Sequence, residues 1–172
     1  DLTVIRVRGV DVAIAICEDL WQEGGPVALT RAAGAELLLV LNGSPYEREK
    51  DDVRRELVTR RAAQAGCALA YVNMVGGQDD LVFDGCSMIV DQAGEIAGRG
   101  KAFDQDLIVA DLDVAAVGRA RLAQGRKKPL PPRVAALIDR VDVRLPARKS
   151  QSVVVPDLEP PLGRLDEAYR AL

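Results

Sequence analysis

The sequence contains no histidine among its 172 residues. A cysteine–histidine catalytic pair is therefore excluded within this polypeptide, and any base that activates a nucleophile must be a lysine, a glutamate or an aspartate. Cysteine is also scarce, since only Cys17, Cys67 and Cys86 occur, with no Cys-x-x-Cys spacing. This pattern predicts neither a disulfide framework nor a zinc site, and it is typical of a protein of the reducing cytoplasm.

Other absences exclude further classes of protein. No apolar run is long enough to span a bilayer, and we expect no signal peptide. The net charge of −3 gives no reason to expect nucleic acid or an anionic membrane as a partner. Neither a Gly-x-Gly-x-x-Gly nor a Walker phosphate-binding loop occurs, so this segment predicts no cofactor of its own. An initiator methionine is lacking too, and we expect the chain to be a piece of a longer protein.

An apolar run over residues 12–16 ends abruptly on Cys17, which Glu18 and Asp19 follow. Its small and β-branched residues predict a buried strand of a sheet that is covered on both faces, with the cysteine at the strand end. Because ligands of open α/β sheets bind at such strand ends, Cys17 is a candidate nucleophile. The alternative is that Cys17 is a small buried hydrophobic residue. Two neighbouring carboxylates do not favour a thiolate, so an activating partner must come from elsewhere.

The apolar pattern up to residue 73 alternates between strands and helices. Predicted strands cover residues 3–7, 11–16, 36–41 and 68–72, and predicted helices cover residues 26–33 and 46–66. The first two strands are joined by a tight turn at Gly9, and each helix ends at a glycine. Two successive strand–helix–strand steps predict parallel strands, which places Asn42-Gly43-Ser44-Pro45 at a second strand end beside Cys17.

Beyond Asn73 the pattern changes to short strands at hairpin spacing. A loop is predicted over residues 76–79, strands over residues 81–83, 86–90, 95–97 and 107–110, and a hairpin turn over residues 91–94. These strands predict an antiparallel continuation, so the fold class is α/β with a mixed sheet in a domain of residues 1–117. Residues 118–161 are rich in proline and basic side chains, which predicts a linker or an arm, and residues 162–172 begin a helix.

Three sequence blocks together identify a known enzyme family. The blocks are Cys17-Glu18-Asp19-Leu20-Trp21, Asn42-Gly43-Ser44-Pro45, and Tyr71-Val72-Asn73-Met74-Val75-Gly76-Gly77-Gln78-Asp79-Asp80-Leu81-Val82-Phe83-Asp84-Gly85. In order and spacing over residues 1–113 they closely resemble the nitrilase-like (carbon-nitrogen hydrolase) glutaminase domain of glutamine-dependent NAD synthetases. The resemblance implies an αββα sandwich, of which this chain would be the C-terminal part. The end of the chain resembles the helix that leads into the family's synthetase domain.

The resemblance also implies roles for four residues. Cys17 falls on the nucleophile that attacks the side-chain amide of glutamine, which forms a thioester and releases ammonia. The backbone N–H of Glu18 falls beside the developing oxyanion, where a fixed donor matters most. Ser44 and Lys50 fall on positions that hold glutamine, whose α-amino and α-carboxylate groups need a polar acceptor and a cation. Without the resemblance, Ser44 is interpreted as a turn residue and Lys50 as a solvated helix charge.

For the parent protein the resemblance implies ATP-dependent amidation of nicotinic acid adenine dinucleotide to NAD in the cytoplasm. ATP and magnesium would be used by a synthetase domain that these residues do not include. The implied partners are glutamine and that synthetase domain. The parent would be a homo-oligomer. The family's catalytic glutamate and lysine precede the cysteine and have no counterpart here. We therefore expect little or no glutaminase activity from the 172 residues alone, and self-association through exposed strands and apolar faces.

Two other functions remain open. One is another amidase of the nitrilase superfamily, with the same cysteine chemistry and no synthetase domain. The other is a non-catalytic subunit that only binds a partner. Cys67 and Cys86 are predicted to be core residues. Asp84 is interpreted either as a pocket wall or as a loop acid.

Overall fold

The computed structural model of the protein describes residues 1–123, 129–146, 154–155 and 158–172. The strands of these residues are β1 (Leu2–Val7), β2 (Val10–Ile16), β3 (Leu37–Asn42), β4 (Ala68–Asn73), β5 (Val75–Gln78), β6 (Leu81–Asp84), β7 (Met88–Val90), β8 (Ile96–Arg99) and β9 (Ile138–Val143). The α-helices are α1 (Gly25–Ala33), α2 (Lys50–Ala65), α3 (Val114–Ala123), α4 (Pro132–Ala135) and α5 (Arg164–Arg170). A 3-10 helix, Cys17–Leu20, follows β2 directly.

One mixed sheet organises the fold, with the strand order β8-β7-β4-β3-β2-β1-β9. The neighbours β2, β3 and β4 are parallel, as the two strand–helix–strand steps predict. Strand β1 is antiparallel to β2, and β7 and β8 continue the sheet in antiparallel fashion from β4. The predicted α/β class and the predicted antiparallel continuation are both confirmed.

Both long helices end where the sequence predicts. Gly34 after α1 and Gly66 after α2 have φ angles of 78° and 61°, in the left-handed region that glycine enters at little cost. The Gly66 N–H donates to Ala62 O at 2.8 Å, which satisfies a carbonyl at the end of the helix. These stops turn the chain back so that β3 can enter the sheet beside β2, and β4 beside β3.

Helix α2 begins later than the predicted residue 46. Glu49, the residue before the helix, has a φ of 66°, which interrupts helical geometry at that point. The Tyr46 N–H donates to Val82 O at 2.7 Å, so residue 46 belongs to the loop that follows β3. The helical spacing of apolar residues predicts that Val53 lies on the buried face of this helix, but Val53 is 50% exposed, while its neighbour Arg54 is fully buried.

The two faces of the sheet differ in how they are covered. Helices α1 and α2 pack on one face, where Ala13, Leu38 and Leu69 are completely buried. On the other face the strand ends stay open among the described residues, and Ile16 and Leu41 are 64% and 52% exposed. The prediction that β2 is covered on both faces is therefore wrong for the part of the chain that the structure describes. The α/β layer that is present corresponds to one half of the predicted sandwich.

Two predictions after residue 73 are corrected. Residues 76–79 are mostly strand, because β5 pairs with β6 in a separate two-stranded hairpin from Val75↔Asp84 to Gln78↔Leu81. Residues 107–110 form no strand. Instead, the Ile108 side chain lies over Gly98 and Gly100, where an added Cβ would come within 2.7 and 3.0 Å of it. Side-chain packing, and not backbone pairing, therefore holds this segment against β8.

The segment predicted as a linker or an arm contributes a strand to the sheet. Strand β9 pairs with β1 in parallel register, and Arg140 at its centre donates to Ala33 O at 2.8 Å. Residues 124–128, 147–153 and 156–157 of that segment lie outside the described residues. Further on, α5 confirms the helix predicted within residues 162–172. Among the described helices, none has the length and apolar character needed to cross a membrane.

Candidate active site

The ends of three parallel strands meet at one edge of the sheet. Ile16 of β2 is in register with Leu41 of β3, and Asn42 of β3 is in register with Asn73 of β4. Neighbouring strands lie about 4.8 Å apart, so the residues that follow these positions are brought close together. Cys17 follows the first strand, and the loop with Ser44 follows the second, as the order of elements predicts.

Cys17 begins a sharp turn in the backbone. Its φ is 45°, a conformation that is uncommon for a side chain other than glycine and that costs about 1–3 kcal/mol unless the surroundings impose it. The Ile16 N–H donates to the Asp19 carboxylate at 2.9 Å, which fixes the start of the turn. The Glu18 N–H is one of the first N–H groups of the 3-10 helix, and such groups have no acceptor within their own helix.

The thiol of Cys17 is the most accessible of the three. Cys17 is half-buried, whereas Cys67 and Cys86 are 0% and 4% exposed. The prediction that the latter two are core residues is confirmed. Burial raises the pKa of Cys86 to about 12, with a further contribution from the charge of Asp51. Of the three cysteines, Cys17 is therefore the one that a substrate can reach.

Ser44 is held more firmly than an ordinary turn residue. It is 4% exposed, and its N–H donates to Asn73 Oδ1 at 2.9 Å while its carbonyl accepts from Asn73 Nδ2 at 3.2 Å. Its hydroxyl accepts from Arg54 Nε at 3.3 Å. The hydroxyl keeps its own proton and a second lone pair, so it can still bind another polar group.

A buried ion pair supports the loop that carries Ser44. Arg54 Nη1 lies 2.6 and 2.8 Å from the two carboxylate oxygens of Asp84, and the two side chains are 0% and 3% exposed. Arg54 Nη2 donates to the carbonyls of Ser44 and Pro45 at 3.0 and 2.8 Å. Burial alone would lower the pKa of Arg54, but the hydrogen bonds and charge of Asp84 outweigh it and raise that pKa. Asp84 is thus the buried counter-ion of Arg54.

Tyr71 brings a buried hydroxyl to the same region. Its side chain is 0% exposed, and its oxygen has no hydrogen-bond partner among the described residues. Burial raises the pKa of this hydroxyl, and the charge of Arg54 and the Ser44 hydroxyl partly oppose that rise. The Tyr71 hydroxyl is therefore a buried polar group in the region of Ser44 and Arg54.

Lys50 is the first residue of α2. Its side chain is 18% exposed, and Nζ lies 2.7 Å from Glu47 Oε1, which is itself largely exposed. The hydrogen bond and charge of Lys50 lower the pKa of Glu47. A cation at a helix N-terminus is disfavoured by the helix dipole, so helix stability does not explain the position of Lys50. Its exposed partner can be exchanged for another carboxylate.

Sequence reasoning missed Arg54, Tyr71 and Asn73 as parts of this site. For Arg54 a signal existed, because it lies three and four residues before Leu57 and Val58 and therefore shares their buried face. For Tyr71 and Asn73 the strand pattern predicts burial but not the polar partner. Among the described residues no cluster of acidic or cysteine ligands is suited to hold a metal ion.

The chain is similar to a known protein family and to several curated proteins. Residues 1–122 match the model of the carbon-nitrogen hydrolase family. The chain is 37% identical to the glutamine-dependent NAD(+) synthetase of Aquifex aeolicus over 172 residues, which cover 95% of this chain and 27% of that protein. Curated relatives of the same name from Xylella fastidiosa are 50% identical over 108 residues, covering 63% of this chain and 20% of each relative. The chain thus spans about a quarter or less of the length of these relatives.

Solved structures show the same likeness. The glutamine-dependent NAD+ synthetase of Acinetobacter baumannii in complex with ADP has a TM-score of 0.59 and 39% identity, over 62% of this chain and 20% of that one. An amidase from Nesterenkonia sp. AN1, with the acetamide moiety of fluoroacetamide added covalently at its active-site cysteine, has a TM-score of 0.56 and 30% identity. That match covers 72% of this chain and 46% of the amidase.

Proposed function

Because this chain belongs to the carbon-nitrogen hydrolase family, we propose that it carries the nucleophile and part of the substrate pocket of a glutaminase. The observation that supports this most directly is the position of Cys17, half-buried at a strand end beside the loop of Ser44. The likeness to the glutamine-dependent NAD(+) synthetase of Aquifex aeolicus along 95% of the chain supports glutamine as the substrate.

The proposed reaction begins at the sulfur of Cys17. The thiolate attacks the side-chain amide carbon of glutamine, a C–S bond forms, and the carbonyl oxygen gains negative charge beside the Glu18 N–H. When this intermediate collapses, the C–N bond breaks and ammonia leaves with the proton that the thiol has lost. Water then hydrolyses the thioester to glutamate and restores the thiol.

Ser44 and Lys50 are proposed to hold the amino-acid end of glutamine. Lys50 is a cation whose partner, Glu47, is 69% exposed and can be replaced by the α-carboxylate of the substrate. The Ser44 hydroxyl has a lone pair and a proton left for the other polar group.

In the parent protein we propose that the released ammonia amidates nicotinic acid adenine dinucleotide to NAD, with ATP and magnesium bound by a synthetase domain. The glutamate and lysine that complete the family's catalytic triad have no counterpart among these 172 residues, so glutamate release by the chain alone should be very slow. In a protein that joins these residues to a synthetase domain, ¹⁵N from the amide of glutamine should enter NAD. Cys17→Ala should abolish that transfer.

The experiment that tests the site uses a diazo-ketone analogue of glutamine and the intact chain. The Cys17 thiolate should displace N₂ from the protonated diazo carbon and gain one label by mass spectrometry. L-glutamine should slow the labelling, D-glutamine should not, and Lys50→Ala should weaken the protection. Cys17→Ala, which leaves two buried thiols, should take no label. Measurable glutamate release that Cys17→Ala abolishes would contradict the expected inactivity of the isolated chain.

A second candidate function is hydrolysis of a different amide, which the likeness to the Nesterenkonia amidase supports. Protection of Cys17 by a short aliphatic amide as strong as protection by L-glutamine would favour that reading. If iodoacetamide labels Cys17 but the glutamine analogue does not, even in a protein that supplies the missing glutamate and lysine, the chain is instead a non-catalytic binding subunit. Each outcome therefore selects one of the three functions.

A further inference from the structure

Helix α2 carries two arginines that are almost completely buried, Arg54 at 0% and Arg61 at 1% exposure. Arginine is rarely buried unless its hydrogen bonds and charge are satisfied. The two residues are seven positions apart, which is two turns of helix and about 10 Å along the axis. They therefore lie on the same side of α2, the side that faces the sheet and the loops at its edge.

Arg61 binds the turn that begins at Cys17. Its Nε donates to Leu20 O at 2.7 Å, and its Nη2 donates to Trp21 O and Gln22 O, both at 2.9 Å. These carbonyls lie at the end of the 3-10 helix, where no N–H group of the helix itself donates to them. One planar guanidinium thus satisfies three successive carbonyls, which a lysine could not do with the same geometry.

Arg54 binds the other loop in the same way. Its donors reach the carbonyls of Ser44 and Pro45 and the Ser44 hydroxyl. Its charge is balanced by buried Asp84, whereas the acid paired with Arg61 within the described residues is Glu23 at 3.5 Å, which is 81% exposed. Arg61 is therefore held mainly by backbone carbonyls. Because burial of a charge without a buried counter-ion costs free energy, stability alone does not explain why Arg61 is buried.

We propose that α2 is a rigid spacer whose two arginines fix the distance between the nucleophile turn and the serine loop, Arg61 by holding the turn of Cys17 and Arg54 by holding the loop of Ser44. This inference rests on the proposed function, because the distance matters only if Cys17 and Ser44 act on the same substrate. Both arginines are positioning residues, because neither is argued to touch the substrate. The strained φ of Cys17 fits this role, since such a conformation persists only where the surroundings impose it.

The two arginines should have different effects on the kinetics with which the glutamine analogue labels Cys17. Arg61→Lys should lower the maximal labelling rate of Cys17 by roughly tenfold or more, because small misplacement of a nucleophile is costly, and leave the half-saturating concentration nearly unchanged. Arg54→Lys should raise the half-saturating concentration and leave the maximal rate nearly unchanged. Arg60→Lys, an exposed position on the same helix, is the matched control and should change neither.

Hydrogen exchange tests the spacer independently of the proposed function. In Arg61→Lys the amides of residues 17–22 should exchange faster while those of residues 43–46 do not, and Arg54→Lys should show the reverse. Uniform acceleration over the whole sheet in both variants would mean a general structural role and would overturn the proposal. Unchanged exchange in both segments would overturn it as well, even if L-glutamine fails to protect Cys17 and the proposed function is wrong.

Should a lysine variant fail to fold, a milder change tests the same turn. Gln64 is exposed, and its Oε1 accepts a 2.6 Å hydrogen bond from Arg61 Nη1. Gln64→Ala should accelerate exchange in residues 17–22 alone, to a smaller extent than Arg61→Lys. Equal exchange in Gln64→Ala and in the unchanged chain would count against the role of Arg61.

Discussion

The two faces of the sheet are built from the same kinds of residue but have different surroundings. On β3, Leu38 is completely buried against the helices, while Leu41 on the opposite face is 52% exposed. A continuous apolar run such as Leu37-Leu38-Leu39-Val40-Leu41 is typical of a strand that is covered on both sides. The apolar pattern therefore indicates which surroundings a strand is suited to, and not whether the described residues supply them.

The largest effect should separate the two leucines of β3. Leu38→Ala should lower the free energy of unfolding by about 2–5 kcal/mol, because it opens a cavity in the closed face. Leu41→Ala removes side-chain atoms that are half exposed already, so its cost should stay within about 1 kcal/mol. Urea unfolding followed by circular dichroism measures both. Equal losses would mean that the open face is covered in solution.

Alkaline pH should lower the stability of the folded protein. The pKa of Cys86 is raised from 9.0 to about 12 in the folded protein, so above pH 9 the unfolded chain loses this proton while the folded chain keeps it. Stability should therefore fall between pH 9 and 12, by at most about 1.4 kcal/mol per pH unit for this one proton. Cys86→Ala should flatten the decline. An identical slope in Cys86→Ala would show that the thiol does not contribute.

The open face should mediate self-association. Ile16, Leu41 and Val72 are 64%, 52% and 54% exposed and lie together at one edge of the sheet. Replacing Leu41 and Val72 by threonine should weaken self-association by about tenfold, which corresponds to about 1.4 kcal/mol. Sedimentation at several concentrations measures the change. A chain that is already a sharp monomer with cooperative melting would contradict the prediction.

The smallest effect should come from Tyr71, although this side chain is buried on the closed face. Its hydroxyl has no hydrogen-bond partner among the described residues, so Tyr71→Phe removes a polar group that is not satisfied. The free energy of unfolding should change by less than about 1 kcal/mol, and it can increase. Thermal melting measures this. A loss of several kcal/mol would show that the hydroxyl is paired in solution.

The sequence was sufficient for the central sheet, because local signals and tertiary packing agree there. The apolar run before Cys17, the glycine stops of α1 and α2 and the hairpin turn at residues 91–94 all lie where they were predicted. The juxtaposition of Cys17 and Ser44 followed from the order of parallel strands alone. The assignment of roles to these residues depended on the resemblance and remains a prediction.

The remaining features depend on contacts that no local pattern contains. Arg54 and Arg61 look like ordinary helix charges until their carbonyl partners, up to 41 residues away in sequence, are known. The strand β5 contains two glycines, which weaken its propensity, and its pairing with β6 decides its conformation. Strand β9 lies in a segment whose prolines and basic residues dominate the pattern, so its match with β1 was not predicted.

That pairing of β1 with β9 has a consequence for the order of folding. Arg140 of β9 bonds to Asp11 across 129 residues of sequence, whereas β1 meets β2 through a short turn at Gly9. The entropic cost of closing a loop grows with its length, so contacts between distant residues form slowly. The β1–β2 hairpin should therefore form early, and β9 should dock only after the edge that receives it exists.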